Sequence, residues 1–204
     1  MDISKQFLNI TKDVWPMLLI FVIVLSTIRI FYLVEKGEKF VFYREFFSLL
    51  FVVYILLLFG LVTNSDVQSY SNNFIPFREI LRYDVKSEYF LWNVVGNALI
   101  FLPFGFFISA YLGSKKWNKP ILITLITSLT IEIVQTFIGR SFDVDDILLN
   151  CLGGIFGFLL YIGLSAIKRH LPRFLQRDWI YNILTIIIMA IIIVYVLKFF
   201  GVTI

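Results

Sequence analysis

"RSFDVDDILLNCLGG", Arg140 to Gly154, places Arg140, Asp143, Asp145, Asp146 and Asn150 between two strongly apolar stretches. Upstream, "IEIVQTF" carries Glu132 and Gln135, and "WNVVGNALIFLPFGF" carries Asn93 and Asn97. Neighbouring carboxylates can serve as general acid and base when their surroundings push their proton affinities apart, or hold a divalent cation through oxygen. Amides donate and accept without charge, and a guanidinium clamps a phosphate. These residue types therefore suit recognition or conversion of a polar headgroup. The candidate catalytic groups are Glu132, Asp143 and Asp146. The candidate ligand-binding groups are Asn93, Asn97, Gln135, Arg140 and Asn150, with Arg78 from an earlier connection. The same side chains also suit a plainer role, because an interhelical hydrogen bond in a membrane is worth about 0.6–2 kcal/mol as glue.

The elements that must position them are membrane helices. Of the 204 residues 59% are hydrophobic and only 16% charged, with a mean hydropathy of +0.88, far from the balance of a soluble domain. Six runs, 14–34, 45–63, 92–112, 120–138, 146–167 and 179–200, are long and apolar enough to cross a bilayer. Backbone groups in lipid must be bonded internally, so the expected fold is an all-α polytopic transmembrane helix bundle of about six spans, a single membrane domain over 1–204. Nothing after Met1 resembles a signal-peptide cleavage pattern, so the first run is expected to be a retained span. The long connection between spans two and three mixes Phe74, Ile75, Phe77, Ile80 and Leu81 with Arg78, Glu79 and Arg82 around Pro76, a composition suited to an interfacial or re-entrant segment.

The charge of +4 does not point to nucleic acid, because the basic residues cluster in loops between spans. Connections after spans one, three and five hold ten Lys and Arg, against six in the N-terminal tail and the other connections. The positive-inside rule then puts both termini, and the polar residues, on the outer side of the membrane, the extracellular side if it is a cell membrane. One cysteine, Cys151, and one histidine, His170, leave no cysteine- or histidine-based metal site. Arg29 in span one is expected to snorkel toward the interface.

Spacing gathers the polar residues. Thr124, Thr127, Ser128, Glu132 and Gln135 fall on one face of span four, and Asp146, Asn150, Gly153, Gly154 and Gly157 on one face of span five. The two faces are expected to look at each other, with Gly153 and Gly157 permitting close approach. Glu132 sits about 9 Å inside the end of its span, so it needs a partner, and Arg140 is a candidate about 12 Å along the axis. Asn93 and Asn97 are i,i+4 neighbours in span three, where Pro103 interrupts the ladder. Helix direction alone brings all of these to one end of the bundle.

The segments "NNFIPF" (72–77), "NVVGNALIFLPFGF" (93–106) and "IEIVQTFIGRSFDVDDILLNCLGGIFG" (131–157) resemble the VanZ-like family of bacterial membrane proteins, over approximately residues 45–165. The resemblance rests on Asn97, Pro103, Gly105, Glu132, Gln135, Arg140, Asp143, Asp146, Asn150 and Gly154, with Asp145 ranked below its neighbours. It implies a cell-membrane location and a contribution to tolerance of teicoplanin and related lipoglycopeptides. It supplies no reaction and no cofactor.

Three functions fit these residues. The first is a site that binds or modifies an envelope lipid or lipid-linked cell-wall precursor. The second is a non-enzymatic resistance or interaction protein that shields the lipoglycopeptide antibiotic's target, or intercepts its lipid tail, at the outer leaflet. The third is a transport or ion pathway, which intramembrane acids often mark.

Overall fold

Each of the six apolar runs folds as a helix. A computed structural model describes the backbone of residues 3–63 and 72–199, and the side chains of 14–60 and 72–194. The helices are α1 Ile3–Lys36, α2 Phe42–Thr63, α3 Glu88–Leu112, α4 Asn118–Phe137, α5 Val144–His170 and α6 Asp178–Phe199. Five of them, α1 to α5, contain stretches long and apolar enough to cross a membrane, and α6 is apolar over its described stretch Asp178–Val194. Among the described residues there is no strand, only an isolated parallel bridge between Asn73 and Asp143. The chain is a multi-pass helical membrane protein.

Helix ends follow local chemistry. Gly113 after α3 and Gly139 after α4 have φ of 58° and 86°, the left-handed conformation that only glycine adopts without strain. In both places the next residue's N–H reaches back to a carbonyl five positions earlier, Ser114 to Ser109 and Arg140 to Gln135. The second of these closures sets Arg140 directly beyond the end of α4.

The chain divides into two compact units, one containing α3, α4 and α5 as far as Ile167, the other containing α1 from Asp13, α2 as far as Leu56, and the segment from Lys168 through α6. In the first unit α5 lies between its neighbours. A Cβ on Gly153 would strike the Ala98 carbonyl of α3, and one on Gly157 the Leu102 carbonyl. A Cβ on Gly154 would instead meet Thr124 of α4. The glycine face thus divides, with Gly153 and Gly157 turned to α3 and Gly154 to α4. Glycines around 100° apart on a helix can serve two neighbours at once, so the face expected to look at span four also meets span three. Phe101 and Phe104 fill the apolar core beside them, their rings 5.5 Å apart. The hydroxyls of Ser109 and Thr124, fully buried, bond carbonyls of their own helices, Gly105 at 2.5 Å and Pro120 at 2.9 Å.

α3 is not a uniform α-helix. Leu91–Val95 forms a π turn, with Gly96 N–H bonded to the Leu91 carbonyl. A π turn is wider than an α turn and shifts the helical phase on either side of it. Asn97 is half-buried and reaches Asp146 of α5, whereas Asn93, within the π turn, is exposed.

In the second unit Arg29 does not snorkel alone. It makes a two-pronged pair with Glu45 of α2, at 2.9 and 3.2 Å, and stacks over Tyr32. In the same first turn of α2 the Tyr43 N–H donates to Asn182 at 3.0 Å and the Tyr43 hydroxyl to Asp178 at 3.1 Å, joining α2 to α6.

Gly153→Ala and Gly157→Ala should each destabilise by about 1–3 kcal/mol, the usual cost of overpacking. Gly163→Ala, with nothing within 4 Å of its Cβ position, should be neutral or stabilising by up to about 1 kcal/mol. Thermal loss of the monodisperse species in detergent measures both.

Candidate functional site

The site is built around the first turn of α5. A helix start leaves four N–H groups without partners inside the helix, and in or near lipid each must be bonded. Asp143 precedes the first helical residue and its side chain accepts from Asp145 N–H at 2.8 Å, the geometry of an N-cap. The Val144 N–H donates to the Asn73 carbonyl at 3.0 Å. In the usual reciprocal arrangement the residue three positions after the cap, here Asp146, would reach back to the cap's own N–H. Instead Glu132 of α4 takes the Asp143 N–H through Oε2 at 2.9 Å. Asp146 is thereby released from capping, and its Oδ1 accepts from Asn97 of α3 at 2.7 Å.

Glu132 is 2% exposed, and its second oxygen is also occupied. In the orientation that satisfies both ends of the Gln135 amide, the nitrogen donates to Glu132 Oε1 at 2.9 Å and the oxygen accepts from Arg140 Nη1 at 2.8 Å. Arg140 thus reaches Glu132 through Gln135. Deeper along the α4–α5 contact, Asn150 donates to Ser128 at 2.9 Å, with both residues buried. Burial raises the Asp143 carboxyl above the ordinary aspartate range, opposed by the Asp145 N–H and the Asn73 amide that bond its charged form.

The connection that follows α2 is fastened to this turn. The described part of it begins at residue 72, residues 64–71 lying outside the described set. Asn73 N–H donates to the Phe142 carbonyl at 2.8 Å, and the Asn73 amide to Asp143 Oδ1 at 2.9 Å. Asn72 accepts from Phe142 N–H at 2.9 Å, and the rings of Phe74 and Phe142 stack 5.3 Å apart. Beyond this clip the chain turns sharply, with Phe77 at φ 67°, a strained value for a residue with a side chain. Asp145 holds the turn: its carboxylate, 1% exposed, accepts from the N–H groups of Phe77, Glu79 and Ile80 at 2.5, 2.7 and 3.2 Å. Residues 72–82 form a strap whose Phe74, Ile75, Phe77 and Leu81 all point outward, as an element in contact with a bilayer would.

The family model described as VanZ/LLP1 matches residues 46–169, which takes in the clip, the strap and the whole polar cluster. The chain belongs to the VanZ-like family. It is 25% identical over 149 residues to Protein VanZ of Enterococcus faecium, an alignment covering 72% of this chain and 85% of that protein. No solved structure matches it.

In this VanZ-like chain the structure places seven of the nine candidate residues in contacts around α5, Glu132 with Asp143 and Gln135 and through the latter with Arg140, Asp146 with Asn97, and Asn150 with Ser128. The other two stand apart from those contacts. Asn93, in the π turn, is exposed and bonds the Tyr89 carbonyl one turn earlier, and Arg78 is an exposed residue of the strap. Asp145, Asn72, Asn73 and Ser128 were not among the candidates. Two adjacent aspartates at a buried helix start are the sequence signal for Asp145, since consecutive residues point about 100° apart and each must find its own donors. Among the described residues no group of three or more His, Cys, Asp or Glu is placed to hold a metal ion.

Asp145→Asn should cost the strap about 1.5–3 kcal/mol, the value of bonds to a charged acceptor. Hydrogen exchange at Phe77, Glu79 and Ile80 should then quicken by roughly tenfold or more. Unchanged exchange at those three amides would show that the strap is held by something else. Asp143→Ala, which removes a cap, should lower global stability by about 1 kcal/mol.

Proposed function

We propose that this VanZ-like protein binds an envelope lipid or lipid-linked cell-wall intermediate at the polar cluster, in the outer-leaflet half of the membrane, and thereby contributes to teicoplanin or lipoglycopeptide tolerance. The observation that carries the reading is the state of Asp146. Glu132 and Asp145 have both oxygens committed to donors that hold the turn and the strap. Asp146 is partly exposed, uses one oxygen for Asn97, and makes no second hydrogen bond to the described residues. Asp143 also keeps one oxygen, since both of its bonds fall on Oδ1, but Asp146 is the acid that pairs an uncommitted oxygen with an amide from α3, and Arg140 supplies the positive charge near it.

The division of roles follows from that geometry. Asp146 and Asn97 contact the headgroup, offering an acceptor and an amide to a hydroxyl, amine or amide. Arg140 faces a phosphate, as guanidinium groups do by two-pronged bonding. Glu132, Gln135 and Asp143 position these groups. The outward apolar side chains of the strap give a hydrocarbon tail a surface at the same end of the unit. The positive-inside count supports placing that end, and both termini, on the extracellular side.

A non-enzymatic shield or interaction protein is the second reading. It draws on the number of carboxylate oxygens engaged by backbone donors, which is what polar glue requires. Lipids retained by the purified protein, identified by mass spectrometry, separate the possibilities. In the binding account Asp146→Asn keeps a folded protein and loses a wild-type lipid several-fold. Glu132→Gln, which disturbs the turn, loses both lipid and stability. A lipid profile identical in wild type and Asp146→Asn would contradict a site at Asp146. Tolerance that disappears only with folding would favour the shield.

A further inference from the structure

We infer that the connection between α5 and α6, residues 168–179, is a docking surface for anionic phospholipid, independent of the polar cluster and of the function proposed for it. Four basic residues occupy this stretch, Lys168, Arg169, Arg173 and Arg177, and all four are exposed. None makes an ion pair with a described residue. The one acid of the stretch, Asp178, is already engaged by the Tyr43 hydroxyl at 3.1 Å and lies 3.6 Å from Arg44. Lys168 is held over the Tyr181 ring at 4.5 Å, a contact that orients its ammonium without neutralising it.

Chain geometry keeps these charges at the membrane surface. α5 ends at His170 and α6 begins at Asp178, so the link between these two apolar helices is only residues 171–177. A fully extended link of that length reaches about 25 Å. This one is far shorter, because Arg173–Gln176 winds into a 3-10 turn and the Gln176 amide closes back on the Leu171 carbonyl at 2.6 Å. Charges so tethered remain within about a Debye length, roughly 8 Å, of the headgroups. Phe174 and Trp179, 59% and 55% exposed, stand among the arginines, and an exposed aromatic beside basic groups is the composition that seats in an interface. Unpaired positive charge, short tethers at both ends and interfacial aromatics together fit an anionic bilayer surface.

Native mass spectrometry of the full chain, titrated with phosphatidylglycerol and with phosphatidylcholine, tests this. The wild type should retain phosphatidylglycerol preferentially, and rising salt should erode that preference. Each basic residue at an anionic surface is worth about a fivefold change. The triple variant Arg169→Gln, Arg173→Gln, Arg177→Gln should therefore lose the preference by roughly tenfold or more. The matching triple substitution to Lys should keep it, since charge and not fork geometry is required. If the Gln variant does not insert, the salt dependence of the wild type and the Lys variant still decide. No preference in the wild type, a preference indifferent to salt, or equal preference in the Gln variant would overturn the inference. Preference for an acidic peptide over phosphatidylglycerol would overturn it too, assigning the surface to a protein.

Discussion

The first turn of α5 is a cluster of unsatisfied donors placed at the edge of a hydrocarbon layer, and most of what is unusual in this chain answers that problem. An unbonded buried amide costs about 1–3 kcal/mol by protein mutational measures. Here the donors meet Asp143 from the helix's own cap, the Asn73 carbonyl from the strap and Glu132 from α4. Because Glu132 crosses from another helix to take the cap's N–H, the acid that would ordinarily do so becomes available for α3. One substitution of partner thus couples three helices and a loop.

Asp145 performs the reverse service, supplying an acceptor where the strap supplies donors. Its three bonds offset both the burial of a charge and the strained backbone at Phe77. Such strain persists only where surrounding structure imposes it and is common beside functional sites. The strap and the α5 start are therefore best regarded as one folded object, in which neither part is satisfied without the other. The glycines of α5 extend the same logic inward, allowing α3 and α4 to approach closely enough for short side chains such as Ser128 and Asn150 to meet.

Much of this was legible in the amino-acid order. The six apolar helices are marked by hydropathy alone, and the buried stripe of Thr124, Ser128, Glu132 and Gln135 follows from helical period. Asn93 bonds the Tyr89 carbonyl of its own helix and stays exposed, and nothing in the composition of Leu91–Val95 announces the π turn it sits in. Asp145 was underrated because its donors lie far off in the chain, at residues 77–80, and spacing along one helix carries no information about a partner in a loop. Arg29 was expected to snorkel for the same reason: Glu45 is on another helix. The family resemblance did mark "NNFIPF", and the structure gives that motif its physical content in Asn72, Asn73 and the Phe74–Phe142 stack.

The central claim is that Asp145 holds the strap to the start of α5. It is tested most directly by oxidative cross-linking of a Cys151→Ser chain carrying Phe74→Cys and Phe142→Cys, the pair whose rings stack. The account predicts rapid and nearly complete cross-linking in membranes, and markedly slower cross-linking once Asp145→Ala is added. Cross-linking at the same rate with and without Asp145→Ala would contradict it.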